Sequence, residues 1–214
     1  MAGRLIVFEG TDGSGKSTQF ALARRALEAA GRDFRTFVYP QYQEESSALL
    51  RMYLSGQFGT HPSDVNAYAA STFFAVDRYA GYKRFWGAYY ERGGLMVLDR
   101  YTTSNAVHQS SKLTPPEREK FFRWLADFEY GILGLPAPDL VLWLDMPTSL
   151  AVANLRHREQ ETHTTGDIHE VDEAYLTACR QAAAQAADFF GWQRVPCTDG
   201  EGALRTPEDI HREI

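Results

Sequence analysis

Short apolar runs alternate with longer helix-favouring segments along the whole chain. Five runs are predicted to form strands, at residues 4–8, 34–38, 95–98, 140–144 and 193–196, and the first has the apolar, β-branched content of a buried strand. Because strands that alternate with helices form parallel sheets covered on both faces, we expect an α/β fold with a five-stranded parallel sheet. No linker or internal repeat interrupts the pattern, so we predict one domain over residues 1–214.

Several of the predicted helices begin at a capping residue and end at a glycine. A long helix is expected to begin at the cap Asp64 and to run to about residue 92, and a short one begins at Ser46 or Ser47. The other predicted helices cover residues 18–30, 148–157, 171–190 and 207–214, with one more that opens at Thr114. Residues 159–169 are polar and poor in apolar positions, so we predict a mobile loop there and a lid over about 157–169.

Composition and charge narrow the class of protein. The chain has 214 residues, 44% of them hydrophobic, with a net charge of −6 and a pI near 5.5. This acidic balance argues against a nucleic-acid partner, and the lack of an apolar run of membrane-spanning length argues against a membrane protein. The N-terminus enters a strand without a signal peptide, and Cys179 and Cys197 form no metal-binding or disulfide pattern. These features predict a cytoplasmic protein.

The first strand and the first helix are joined by a glycine-rich phosphate-binding pattern. Its Gly-x-x-x-x-Gly-Lys-Ser core lies between a strand and a helix, an arrangement that aims backbone N–H groups at a phosphate. Lys16 is expected to reach the terminal phosphates of a nucleoside triphosphate, and the Ser17 hydroxyl to bind Mg²⁺. The residues predicted to bind the triphosphate are Gly10, Thr11, Asp12, Gly13, Ser14, Gly15, Lys16, Ser17 and Thr18.

Polar residues follow other strands at the same edge of the predicted sheet. Tyr39, Asp99 and Asp145 stand at strand ends, and ligands bind at the carboxyl ends of parallel strands. Asp99 can hold Mg²⁺ or its waters, and the guanidinium of Arg100 can bind a second phosphate through two hydrogen bonds. A structural ion pair at the sheet edge is the alternative for these two residues.

A ring and a guanidinium share one face of the long predicted helix. Phe74 and Arg78 are four residues apart, so the ring can stack on a planar base while the guanidinium donates to a carbonyl on the base edge. A donor at that edge selects a keto group, which favours thymine or uracil over cytosine or adenine. A core phenylalanine beside a surface arginine is the alternative.

Together these motifs resemble those of the thymidylate kinases, over essentially the whole chain. Besides the phosphate loop, the resemblance rests on residues 39–42 (Tyr-Pro-Gln-Tyr), 74–78 (Phe-Ala-Val-Asp-Arg), 99–105 (Asp-Arg-Tyr-Thr-Thr-Ser-Asn) and 134–140 (Gly-Leu-Pro-Ala-Pro-Asp-Leu). It implies the three-layer fold of P-loop nucleoside triphosphatases. It also implies a kinase that uses ATP and Mg²⁺ to convert dTMP to dTDP in dTTP synthesis, and commonly a homodimer.

The resemblance implies roles for the matching residues toward dTMP. Asp12 would accept a hydrogen bond from the 3′-hydroxyl of the sugar, Phe74 would stack on thymine, and Arg78 would donate to its 4-keto oxygen. Arg100 and Tyr42 would bind the acceptor phosphate. The predicted substrate-binding residues are Asp12, Tyr42, Phe74, Arg78, Arg100, Asn105 and His108.

The last two residues of that set, Asn105 and His108, would determine which base and which sugar the site accepts. Asn105 would contact the base edge. His108 would lie against C2′ of the sugar as a gate against ribonucleotides, with a structural helix histidine as an equal alternative. Gln41 stands where an arginine of the family often contacts the acceptor phosphate, and Arg51 is a candidate substitute for that arginine.

The chain departs from the family pattern in the phosphate loop and in the lid. Gly13 stands where some members carry an arginine, and other members supply one from an Asp-Arg-x-Glu pattern in the lid, where this chain has Ile168. We expect Arg158 to supply this charge when the lid closes and Arg156 to pack against the adenine or its phosphates. An arginine of this kind is worth roughly 10³–10⁵ in rate in other phosphoryl-transfer systems. The predicted catalytic residues are Lys16, Asp12, Arg100 and Arg158.

Two other functions remain open from the sequence. A deoxynucleoside kinase would use the same phosphate loop with an unphosphorylated acceptor, which would leave Arg100 and Tyr42 without a phosphate to bind. A nucleotide-binding sensor without turnover would fit the altered lid, although Lys16 and Asp99 are intact.

Overall fold

The computed structural model describes residues 2–162 and 173–214, with residue 62 and residues 158–162 described by their backbone alone. The described strands form one parallel sheet in the order β2-β3-β1-β4-β5. They are β1 (Arg4–Glu9), β2 (Phe34–Val38), β3 (Leu95–Asp99), β4 (Leu140–Asp145) and β5 (Gln193–Pro196). The five predicted strands and the α/β fold are therefore confirmed, and three of the strands are one residue longer than predicted.

Helices follow the strands and cover both faces of the sheet. Those described are α1 (Lys16–Ala29), α2 (Ala48–Leu54), α3 (Ala67–Gly81), α4 (Gly87–Glu91), α5 (Thr102–Ser104), α6 (Pro115–Ala126), α7 (Thr148–Thr162), α8 (Glu173–Phe190) and α9 (Pro207–His211). Helices α3, α5 and α6 continue into the π-helical segments Tyr82–Trp86, Asn105–Gln109 and Asp127–Ile132. Within the described ranges, no helix has both the length and the apolar character needed to cross a membrane.

Alternate residues of the central strand β1 belong to separate cores on the two faces of the sheet. Leu5 and Val7 lie in a cluster with Trp86, whereas Phe8 lies in a cluster with Ala23 of α1. Because β1 is buried on both sides, the loop that follows it leaves the sheet from a fixed position.

The long helix begins two residues after the predicted position. Asn66 is its N-cap, since its Oδ1 accepts a hydrogen bond from the backbone N–H of Ala69 at 2.9 Å. Asp64 instead ends a 3₁₀ turn and accepts from the N–H of His61. Both residue types cap helices equally well, so sequence alone did not separate them.

The prediction that the chain leaves helical structure at residue 159 is wrong for residues 159–162. Helix α7 runs through Thr162, because Arg, Glu and Gln are good helix formers even where no apolar face supports them. The rest of the predicted lid, 163–169, lies outside the described residues. The closing helix α9 is shorter than predicted and ends at His211.

Candidate active site

Two cavities open at the carboxyl ends of the strands, and Asp12, Tyr39 and Arg100 line both of them. The first is lined by a mixture of aromatic and polar side chains, which is typical of small-molecule sites. All seven residues predicted to bind the acceptor line this first cavity, namely Asp12, Tyr42, Phe74, Arg78, Arg100, Asn105 and His108. The second cavity follows the phosphate loop, from Thr11 to Thr18, and includes Asp99.

The phosphate loop turns sharply into α1, which begins at Lys16. Gly15 has a φ of 80°, a left-handed conformation that glycine adopts without strain. Gly10 is buried and does not line the second cavity, and a Cβ on it would lie 2.5 Å from Oγ of Ser14. Gly10 therefore allows the loop to close on itself, while the residues after it face the cavity.

Lys16 and Asp99 form a buried ion pair below the phosphate loop. Burial and the positive charge of Arg100 lower the pKa of Lys16, while Asp99 acts in the opposite direction. The strand register explains the pairing, because Asp99 stands opposite Phe8 on β1, two residues before the loop. Both side chains line the second cavity, where the phosphates of a nucleotide would lie.

Arg100 lies where the two cavities meet. Its Nη2 donates to Oδ1 of Asp12 at 2.5 Å, and its Nη1 lies 3.0 Å from Nε2 of His108. Among the described residues other than glycine, it alone has a positive φ, 64°, which costs about 1–2 kcal/mol for an L-residue. Burial acts to lower the pKa of Arg100, but the carboxylates of Asp12 and Glu9 raise it above its ordinary value. A strained, permanently charged arginine at this position is typical of a functional site.

Glu9 holds the start of the phosphate loop and the segment after β3 together. Its buried carboxylate accepts hydrogen bonds from the N–H of Gly10 at 2.9 Å and from the hydroxyls of Thr103 and Ser104 at 2.6 and 2.7 Å. One of its oxygens lies 4.0 Å from Nη1 of Arg100. Sequence reasoning assigned no role to Glu9, which stands between the predicted strand and the glycine-rich pattern.

His108 connects Arg100 to the start of α8. Because a guanidinium only donates, Nε2 of His108 accepts from Arg100 and Nδ1 carries the proton, 3.1 Å from the hydroxyl of Tyr175. Sγ of Cys179 lies 3.6 Å from the same nitrogen, and burial raises the pKa of this thiol to about 11. The imidazole is thus positioned from two elements.

Arg78 is buried at the inner end of the first cavity and is bound by Glu129. Its Nε and Nη2 each donate to one oxygen of the carboxylate at 2.6 Å. Burial acts to lower the pKa of Arg78, but Glu129 raises it above its ordinary value. The alternative of a surface arginine is therefore wrong, because the helix face that carries Arg78 points inward.

The first cavity is also lined by residues that were not predicted to bind the acceptor, among them Tyr53, Gln109 and Tyr175. Gln109 lies four residues after Asn105 on the helical segment that begins at α5, and its buried Oε1 has no hydrogen-bond partner among the described residues. The spacing would have indicated Gln109 if this segment had been recognised as helical.

Arg51 is oriented away from the predicted contact. Its Nη1 donates to the carbonyl oxygens of Tyr42 and Glu44 and to the hydroxyl of Ser47. Neither Arg51 nor Gln41 belongs to the described lining of the first cavity. Arg51 therefore stabilises a turn, and a role as substitute for an arginine at position 41 finds no support.

Helix α7 packs directly on the phosphate loop. Nδ2 of Asn154 donates to the carbonyl oxygen of Gly13 at 2.9 Å, and Asn154 and His157 line the second cavity. Arg156 is exposed and is not part of that lining. The side chain of Arg158 lies outside the described part of the structure, although its backbone continues α7.

Gly13 has no room for a side chain. Its φ is 79°, and a Cβ on it would lie 2.2 Å from the carbonyl oxygen of Ala151 in α7. An arginine at this position is therefore incompatible with the way α7 packs on the loop.

Replacing Gly13 by Ala is expected to destabilise the protein more than replacing Gly15 by Ala. Both substitutions place a Cβ at a φ near 80°, which costs about 1–2 kcal/mol, but Gly15 has open space around it. Overpacking against Ala151 adds about 1–3 kcal/mol for Gly13→Ala alone. Urea unfolding of the two variants measures the difference, and equal losses would contradict the contact with Ala151.

These features define the class of protein. The phosphate loop lines the second cavity, the first cavity has a ring and a guanidinium in its wall, and one arginine borders both cavities. This is the arrangement of a P-loop kinase that acts on a nucleotide.

Comparison with known proteins identifies the family. The thymidylate kinase family model matches residues 8–195. A thymidylate kinase of Mycobacterium tuberculosis is 35% identical over 158 residues, which cover 73% of this chain and 72% of that protein. One from Akkermansia muciniphila is 31% identical over 182 residues, 85% of this chain and 78% of that protein. The chain belongs to the thymidylate kinase family.

A solved structure supports the fold independently. The thymidylate kinase of Candida albicans has a TM-score of 0.69 to this chain at 19% identity, and the match covers 99% of this chain and 89% of the other. The predicted P-loop fold is thereby confirmed.

Proposed function

We propose that this protein transfers the γ-phosphate of ATP to dTMP and forms dTDP. The observation that carries the proposal is the meeting of the two cavities at Arg100 and Asp12. A phosphate of the acceptor bound by Arg100 would lie next to the phosphate loop that holds ATP. Phosphoryl transfer depends on this positioning and on charge neutralisation, and it needs no covalent nucleophile.

The first cavity suits a pyrimidine nucleotide. Phe74 supplies a ring for stacking, and Arg78 and Asn105 lie with it in the cavity wall. Tyr42 and Arg100 would bind the 5′-phosphate, Asp12 the 3′-hydroxyl, and His108 would lie against C2′ of the sugar.

Mg²⁺ is included in the proposal as the metal that accompanies ATP. The hydroxyl of Ser17 and the carboxylate of Asp99 both line the second cavity, and oxygen donors of this kind suit Mg²⁺. When bound, the ion would neutralise phosphate charge. Lys16, beside Asp99, would donate to the terminal phosphates of ATP.

The lid and the assembly are also proposed. We infer a single domain with a lid over about 157–169, from which Arg158 supplies positive charge and Arg156 contacts the adenine or its phosphates. A homodimer is supported by apolar side chains left exposed on and after α3, which are Val76, Tyr79 and Phe85. A cytoplasmic location is supported by Cys179 and Cys197, which are free thiols.

A substrate panel tests the proposed function. With ATP and Mg²⁺, coupled ADP release is expected for dTMP and dUMP, because both present a keto group to Arg78. dCMP presents an amino group there, and we expect kcat/KM for dCMP to be lower by about 10²-fold or more. The measurement is initial rate against the concentration of each nucleotide.

Thymidine decides between the two kinase functions. Thymidine lacks the phosphate that Arg100 and Tyr42 would bind, so we expect no measurable turnover. Turnover of thymidine without turnover of dTMP would support a deoxynucleoside kinase. Binding of ATP and dTMP in a calorimeter without any turnover would support a nucleotide sensor.

A further inference from the structure

Glu129 is a buried carboxylate that no motif of the sequence singles out. It lies on the π-helical segment Asp127–Ile132, behind the wall of the first cavity, and its side chain is fully buried. Four hydrogen bonds converge on it: two from Arg78 at 2.6 Å, one from the hydroxyl of Thr102 at 3.0 Å and one from Nδ2 of Asn105 at 3.3 Å. Two of its three partners line the cavity where the base would lie.

The carboxylate fixes which part of the guanidinium is available to a ligand. Nε and Nη2 of Arg78 are both directed at Glu129. Nη1 is the remaining nitrogen, and its contact with the carbonyl oxygen of Tyr101 is long, at 3.5 Å. Because two parallel hydrogen bonds hold a planar group in one orientation, Nη1 is presented at the cavity as a directed donor.

The same carboxylate fixes the amide of Asn105. Nδ2 lies 3.3 Å from Glu129 and 3.2 Å from the carbonyl oxygen of Ser71, and both of those oxygens accept only. The two N–H groups of the amide therefore point at these two oxygens. Oδ1 is left as the polar atom that Asn105 presents to the cavity. Arg78 and Asn105 together present a donor beside an acceptor.

We propose that Glu129 is the positioning residue for base selection, because it holds Arg78 and Asn105 in the orientations that match a keto group next to a ring N–H. This inference rests on the proposed function and goes beyond it, since Glu129 itself contacts no substrate. Cytosine presents an amino donor and a bare ring nitrogen at the same edge, and would meet Arg78 donor to donor and Asn105 acceptor to acceptor.

Glu129→Gln, Glu129→Asp and Thr102→Val form a matched test set. Glu129→Gln keeps the shape but loses the charge, and Glu129→Asp keeps the charge on a side chain one methylene shorter. Thr102→Val removes a donor to the same carboxylate, yet leaves its bonds to Arg78 and Asn105 in place. It controls for any general loss of stability around Glu129.

Both Glu129 variants are expected to raise KM for dTMP roughly 10- to 100-fold and to leave kcat at saturating dTMP within about threefold. The preference for dTMP over dCMP in kcat/KM should fall by a similar factor. The preference for dTMP over dUMP should stay constant, because the two bases present the same keto and N–H groups. Thr102→Val should retain both preferences, although its melting temperature should fall because one hydrogen bond to the buried carboxylate is lost.

Unchanged preference for dTMP over dCMP in folded Glu129→Asp would overturn the inference, as would an equal loss of preference in Thr102→Val. If neither Glu129 variant folds, NMR of the wild-type protein decides. The Nε–H of Arg78 should exchange slowly with solvent before any nucleotide is added, and rapid exchange would show that Glu129 does not hold it. A wild-type protein without activity on dTMP would overturn the proposed function, and the exchange measurement would still decide the role of Glu129.

Discussion

Replacing Arg100 by Ala is expected to lower kcat/KM for dTMP by about 10²–10³-fold, because a charged donor to the acceptor phosphate is lost. The guanidinium is held at the border of both cavities by Asp12 at 2.5 Å and His108 at 3.0 Å. Binding of ATP should change by less than about threefold, since Lys16 and the backbone N–H groups of the loop remain. Steady-state kinetics with varied dTMP, and calorimetry with ATP, measure the two effects.

Arg100→Lys is the matched control for this experiment. Ala and Lys both carry a Cβ, so both variants keep the strain of a φ of 64° at this position. Lysine keeps the positive charge but cannot bind a phosphate through two parallel donors, so we expect it to recover about tenfold of the loss. If Arg100→Ala kept wild-type kcat/KM for dTMP, Arg100 would have no part in binding the acceptor.

The sheet could be predicted from the sequence because β1, β3 and β4 are apolar runs that end at polar or turn residues, and the shorter or more polar β2 and β5 each follow a helix-favouring segment. The placement of Asp99 and Arg100 beside the phosphate loop followed from the same pattern, since the ends of parallel strands meet at one edge. The acceptor residues came from resemblance to a family. The structure brings all of them to one cavity, and their individual roles stay predictions.

The residues that support the site could not be predicted, because their partners are distant in sequence. Glu129 binds Arg78 across 51 positions, and Glu9 binds Ser104 across 95. In the sequence, Glu129 stands near other acidic residues and looks like part of a solvated helix face. Its burial becomes visible only when α3 and the segment after α6 are packed together.

In the predicted lid, helical residues were predicted to form a loop. Residues 159–162 lack apolar positions, and periodicity therefore predicted a loop, although their helix propensity is high. Because α7 extends to Thr162, the helix that contacts the loop through Asn154 also carries positions 156 and 158. In helical spacing, position 158 falls four residues after Asn154 and on the same face, whereas position 156 falls on the other side.

Gly13 and position 158 are connected through helix α7, which packs on Gly13 and carries Arg158. The contact of α7 with the loop excludes a side chain at position 13, so an arginine cannot be supplied from the loop itself. The charge of the transferred phosphoryl group still has to be neutralised. We propose that an arginine on α7 does this, because Asn154 and His157 of the same helix line the second cavity.

Arg158→Ala is therefore expected to lower kcat by at least about 10³-fold and to change KM for dTMP by less than about threefold. Arg156→Ala is the control with the same change of charge on the same helix, and it should affect KM for ATP far more than kcat. Single-turnover kinetics with saturating ATP and dTMP measure the chemical step without product release. An unchanged rate of phosphoryl transfer in Arg158→Ala would remove this residue from the mechanism, and a loss in Arg156→Ala alone would assign the charge to the other face of α7.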